Sequence, residues 1–170
     1  MKTTLFIAAC LAMVAGPTLA TPASSTDAQG AKYQIEQVIA RFQAAIVKKD
    51  KAALSDLFLP TDNSWMAVPT ETTYRLVKTR HPKARRFMPG NYGKFVDFVT
   101  TTPGHMEEKF SNVKIETDGA VASVYFDFVF LDDGKPENRG SETWQLINTG
   151  HGWKINALAY SINLDPGQVK

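Results

Sequence analysis

Ala120–Leu131 (AVASVYFDFVFL), Gly140–Asn148 (GSETWQLIN) and Trp153–Leu164 (WKINALAYSINL) carry most of the architectural information in this chain. Asp118-Gly119 precedes the first stretch, Asp132-Asp133-Gly134 follows it, and Thr149-Gly150-His151-Gly152 precedes the last, so each is bounded by turn residues. Successive side chains of a strand point to opposite faces. In the first stretch Ala122, Val124, Phe126, Phe128 and Phe130 form an apolar face, which we expect to point inward. Ser123, Tyr125 and Asp127 fall on the other, with Asp127 toward solvent or a partner copy. In the second, Trp144 and Leu146 are the apolar pair, and Glu142 shares their face. The third is ambiguous: Leu158, Tyr160 and Ile162 share a face with Asn156, while Ile155, Ala157, Ala159 and Ser161 make a second face that is also rather apolar. We read the Tyr160 face as inward.

Upstream the period changes. Ile35, Val38, Ile39, Phe42, Ala45 and Ile46 recur at three- and four-residue steps and predict a helix over 31–48. Asp50 is placed to cap a second helix, Lys51–Phe58, which Pro60 ends. Trp65-Met66-Ala67-Val68 reads as a short buried strand, and 70–90 as largely irregular. Asn91–Thr100 predicts a third helix with Phe95, Val96, Phe98 and Val99 inward. Met106–Glu116 predicts a strand marked by Phe110, Val113 and Ile115, and Lys135–Arg139 reads as an exposed hairpin loop. Strands that follow amphipathic helices predict an α+β domain whose sheet wraps around a pocket.

Leu5–Ala15 (LFIAACLAMVA) is an apolar run behind Met1-Lys2, too short for a bilayer, and Thr18-Leu19-Ala20 offers small residues for a signal peptidase. The expected organisation is a signal peptide over 1–20, a polar tether over 21–30 (TPASSTDAQG), one domain over 31–165 and a tail over 166–170. A periplasmic or secreted protein follows. Cleavage after Ala20 would remove Cys10, the only cysteine, and with it any disulfide or thiolate chemistry. Lipidation of Cys10 is the rival route, but little apolar sequence precedes it.

The chain has 19 Lys and Arg against 17 Asp and Glu. Loss of Lys2 with the signal leaves a net charge near neutral, with no general drive toward nucleic acid or stable membrane insertion. His81, His105 and His151 are isolated, so no metal-ligand spacing appears, and neither a nucleophile elbow nor a phosphate-cradling glycine loop is present. The sharpest charge feature is Lys78–Arg86 (KTRHPKARR), read as a solvated loop with an anion-binding surface as the alternative.

Ala44–Phe58 (AAIVKKDKAALSDLF), an Asp-capped helix ending Leu-Phe, and the closing strand Gly152–Leu164 (GWKINALAYSINL) resemble the nuclear transport factor 2-like superfamily. The resemblance spans roughly 31–164. It implies a cystatin-like cone, a curved antiparallel sheet wrapped around a long N-terminal helix with two shorter helices. Ketosteroid isomerases and polyketide cyclases share that cone. The isomerases use a tyrosine on the first helix and a carboxylate base near the first strand. Here the matching positions hold Phe42 and the acid-free stretch Trp65–Val68, so neither isomerase group is matched.

The expected function is binding of a small, largely apolar or aromatic molecule by Trp65, Phe128, Glu142, Trp144 and Tyr160, with no catalytic residue, cofactor or metal assigned. Phe126 is expected in the core and Tyr160 in the pocket. Glu142 is the one carboxylate that alternation places on the mostly apolar inner face, where apolar neighbours would raise its pKa; the reading we prefer puts it at the cone's rim, solvated or paired to a lysine. Two other readings stay open: a lyase, isomerase or hydrolase using Glu142, Tyr160 or His105, and a homodimeric envelope module that pairs through its outer sheet face.

Overall fold

The computed structural model describes residues 25–61 and 63–168. The expected signal peptide, Cys10 and residues 21–24 of the expected tether lie outside them. Helix α1 (Ser25–Lys48) buries Ile35, Val38, Ile39, Phe42, Ala45 and Ile46, the stripe its spacing predicts. It starts at Ser25, so residues 25–30 of the expected tether are helical. Lys49 leaves the helix at φ 52°, and Asp50 then caps α2 (Lys51–Asp56) by accepting the Ala53 N–H at 2.9 Å. The second helix is shorter than expected. Phe58 leaves it to form an isolated bridge with Ile155, pulled there by burial against the closing strand.

Strand β1 (Ser64–Pro69) is followed by a helix that the sequence reading missed, α3 (Glu71–Arg80), capped by the Thr70 hydroxyl. Its buried face is little more than Thr73, so apolar periodicity had almost nothing to show. A two-residue strand β2 (Met88–Pro89) leads to α4 (Tyr92–Thr101), capped by Asn91. Val96 and Val99 are buried as expected, Phe95 is half-buried, and Phe98 is 49% exposed. That exposure corrects its inward assignment. Four long strands complete the chain: β3 (Met106–Thr117), β4 (Val121–Asp132), β5 (Lys135–Asn148) and β6 (Trp153–Ile162). Residues 166–168, at the start of the expected tail, form one 3₁₀ turn. Among the described residues no helix is long and apolar enough to cross a membrane.

The six strands form one sheet in the order β2-β1-β6-β5-β4-β3, with β1 parallel to β6 and the other pairs antiparallel. The β4–β5 hairpin turns on Asp133-Gly134, both at positive φ, as an Asp-Gly two-residue turn requires. Lys135–Arg139 is therefore strand, not loop. Three register shifts bend the sheet. One sets Asn112 and Val113 beside a single β4 residue, which takes Val113 out of the inner face and leaves Phe110 and Ile115 on it. Another occurs between Gln145 and Leu146, where Leu146 pairs with Ile155 and Gln145 with Ala157. Asn156 is the extra residue, so Trp153 and Ile155 point inward before it and Leu158 and Tyr160 after it. Each of the two candidate faces of the last strand is thus right for half its length.

Candidate functional site

The concave face of the sheet, α1 and α4 enclose a cavity of about 490 Å³. Phe42, Trp65, Phe95, Phe128 and Tyr160 give it aromatic walls, and Glu108 and Glu142 face it from β3 and β5. Asn91, Lys94, Asp132, Glu137 and Asn138 stand around it as well, most of them exposed. The rings hold one another in place. Phe42 stacks on Phe95 at 5.8 Å, Trp65 meets Phe95 at 5.3 Å, and Tyr160 stands edge-on to Phe128 at 6.1 Å and to Trp65 at 6.4 Å. Gly90 belongs to the wall because a Cβ there would stand 2.6 Å from the Trp65 ring.

Of the five residues expected to bind ligand, Trp65, Phe128, Glu142 and Tyr160 line this cavity. Trp144 does not. Its ring is fully buried behind the wall, 4.9 Å from Phe42 and 5.0 Å from Phe126, and its indole N–H donates to Glu142 Oε1 at 2.5 Å. Alternation puts Trp144 on the right face, but the long helix seals that part of it. Trp144 positions Glu142.

Glu142 is buried and not at a solvated rim, and it is not the only inward carboxylate. Glu108 is also buried, at 5% exposure, on the face of β3 that holds Met106 and Phe110. Its signal was the Met106-x-Glu108-x-Phe110 alternation, overlooked because a glutamate beside Glu107 and Lys109 looks like a solvated charge. Glu108 pairs with Phe130 and Glu142 with Phe126, so β4 lies between them. The Glu108 carboxyl accepts no hydrogen bond from the described residues, although Gln43 donates to its backbone carbonyl at 2.9 Å.

Burial pushes the Glu142 carboxyl up to about 8, with the Trp144 N–H countering part of the rise. Burial, and then the nearby charge of Glu142, raises Glu108 well above the ordinary carboxylate range. Tyr160 pairs with Glu142 across β5 and β6, and burial with that same charge raises its hydroxyl too. All three groups thus favour their protonated forms.

The remaining candidates lie elsewhere. The His105 ring is exposed and does not line the cavity, which removes it as a pocket acid or base. Asp127 is on the outer face, where it accepts from Asn112 at 2.7 Å and Ser141 at 3.1 Å. The basic stretch is only partly a loop. Lys78 and Arg80 close α3, and Arg86 pairs with Glu71 at 2.8 Å over the Tyr74 ring. Among the described residues no group of three His, Cys, Asp or Glu is placed to hold a metal ion.

A six-stranded bent sheet closed over a long helix, with an aromatic cavity between them, defines the cystatin-like fold of nuclear transport factor 2-like proteins. Solved structures bear this out. A protein of unknown function from Mycobacterium tuberculosis superposes with a TM-score of 0.61 at 14% identity, over 86% of this chain and 80% of that one. A nuclear transport factor 2-like protein with a cystatin-like fold from Novosphingobium aromaticivorans gives 0.57 at 13% identity, over 79% and 82%. A protein from the same organism, provisionally named a scytalone dehydratase, gives 0.61 at 11% identity, over 83% and 89%. No protein-family model and no curated protein matches the chain.

Proposed function

We propose that this protein is exported and binds a small, largely apolar molecule in the cavity between its sheet and α1. One observation carries the reading. A cavity of about 490 Å³ has aromatic walls and a few buried polar groups facing inward, the composition of a small-molecule site. Flat aromatic walls favour a flat or ring-bearing ligand. The buried carboxyls and the Tyr160 hydroxyl then orient its polar end.

Titration with the neutral fluorophore N-phenyl-1-naphthylamine is expected to give saturable emission at one site per chain. Tyr160→Phe should weaken that binding several-fold yet keep stability within about 1 kcal/mol, because the lost hydroxyl faces a wet cavity. Emission that never saturates, or a folded Tyr160→Phe that binds the probe unchanged, would remove the cavity from consideration. Export is supported by the apolar run and the small residues before Thr21. N-terminal sequencing of protein recovered from outside the cytoplasm should start at Thr21, and a lipid-bearing Cys10 would contradict it.

A further inference from the structure

Glu108 and Glu142 present four carboxyl oxygens at the cavity wall. The Trp144 N–H occupies Glu142 Oε1, and the other three accept no hydrogen bond from the described residues. None of the ion pairs among the described residues involves either glutamate. Two buried residues with acidic side chains therefore face the cavity without a protein counter-charge. Buried polar groups are normally paired, and buried charges especially so. Once the pair ionises, the partner it lacks is a set of hydrogen-bond donors carrying positive charge.

We infer that the cavity takes a small apolar molecule bearing a protonated amino group, with Glu108 and Glu142 holding the ammonium and the aromatic walls holding the carbon skeleton. The inference rests on the cavity being a ligand pocket, as proposed above. A primary ammonium has three N–H donors and no acceptor, so it can meet the unpaired carboxyl oxygens of the ionised pair with charge as well as hydrogen bonds. The faces of Trp65, Phe95 and Tyr160 attract a cation as well as a hydrocarbon. An anionic ligand would meet carboxyls and ring faces of the wrong sign. A neutral alcohol brings a single donor and no charge.

The pair's protonation gives this ligand class a recognisable signature. The other titratable groups around the cavity are Tyr160 from β6, Lys94 from α4, Asp132 from β4 and Glu137 from β5; α1 contributes the uncharged Phe42 and β1 the uncharged Trp65. Lys94, the one cation among them, forms no ion pair with either glutamate, so an arriving ammonium finds the two acids at least partly protonated and must displace a proton. Binding of an amine should then release protons and tighten as pH rises through the range in which the pair ionises.

Isothermal titration of the exported chain with 2-phenylethylamine and 2-phenylethanol, matched in shape, tests this from about pH 6 to about pH 8.5, where the amine stays charged. The amine is expected to bind at least about tenfold more tightly than the alcohol near pH 8. Its affinity should rise with pH, and buffers of different ionisation enthalpy should reveal proton release. The alcohol should show neither. An alcohol that binds as tightly as the amine, or amine affinity that falls with pH, overturns the ammonium inference and leaves the pocket reading intact. Binding of neither probe overturns both. In the paired variant Glu108→Gln with Glu142→Gln, once circular dichroism shows it folded, the amine should lose about tenfold or more and the alcohol little. Undiminished amine binding there also overturns the inference.

Discussion

Phe126→Ala is expected to remove about 3–5 kcal/mol of stability, the cost of emptying a fully packed aromatic site. The Phe126 side chain is fully buried, stacked on Phe110 at 4.0 Å and edge-on to Trp144 at 5.0 Å. Its neighbours belong to different strands, and Trp144 also packs on Phe42 of α1. They cannot collapse into the vacated volume without moving the helix off the sheet. Urea unfolding should show a lower midpoint at an unchanged slope, since the surface exposed on unfolding stays the same. A loss below about 1 kcal/mol would mean that β4 does not deliver its phenylalanines to the core. Phe128 is two residues along the same face but borders the cavity, so its truncation should cost less, with one side of the ring already lacking protein contacts.

The second large effect has the opposite sign. Glu142→Gln is expected to stabilise the fold near neutral pH. In the folded chain burial holds the Glu142 carboxyl at about 8, against 4.5 for an ordinary glutamate. Between those values the unfolded chain binds fewer protons than the folded one, so stability falls as pH rises. The loss runs at about 1.4 kcal/mol per pH unit and amounts to something on the order of 3 kcal/mol by pH 7. Below about pH 4.5 both states are protonated and the penalty vanishes. Glutamine has nearly the same shape, and its amide oxygen can accept the Trp144 N–H, so the substitution removes the titration without orphaning the indole. Chemical denaturation from about pH 4 to pH 8 should show the native protein weakening and Glu142→Gln weakening much less, with Glu108 accounting for the residual slope. Equal slopes in both proteins would place Glu142 in contact with bulk water.

On the proposed reading, the same buried pair has opposite consequences for folding and for binding. Two acids without counter-charges reduce the stability of the empty protein, and the cationic ligand proposed above would restore part of what was lost. A protein selected for stability alone would have no reason to keep them. Sites that trade stability for binding commonly show this pattern.

What the sequence determined by itself is whatever depends on near neighbours along the chain. The stripe from Ile35 to Ile46, the Asp50 cap, the Asp133-Gly134 turn and the phenylalanine face of β4 are all written in local spacing, because a helix or strand repeats its own geometry. From these the cone and its aromatic interior were legible, as were four of the five expected pocket residues. Only the tertiary structure decided where that repetition breaks. The extra residue at Asn156 reverses the inward face of β6, and the Asn112–Val113 irregularity does the same for β3, because a sheet that must bend around α1 shifts its register to do so. It also divided one inner face into core and pocket, placing Trp144 beneath α1 and Tyr160 in the open cavity, a difference of depth that alternation cannot express. Glu108 shows the reason most plainly. Its place on the same cavity wall as Glu142 is created by the two strands that flank β4, and no window of sequence shows both residues on that wall.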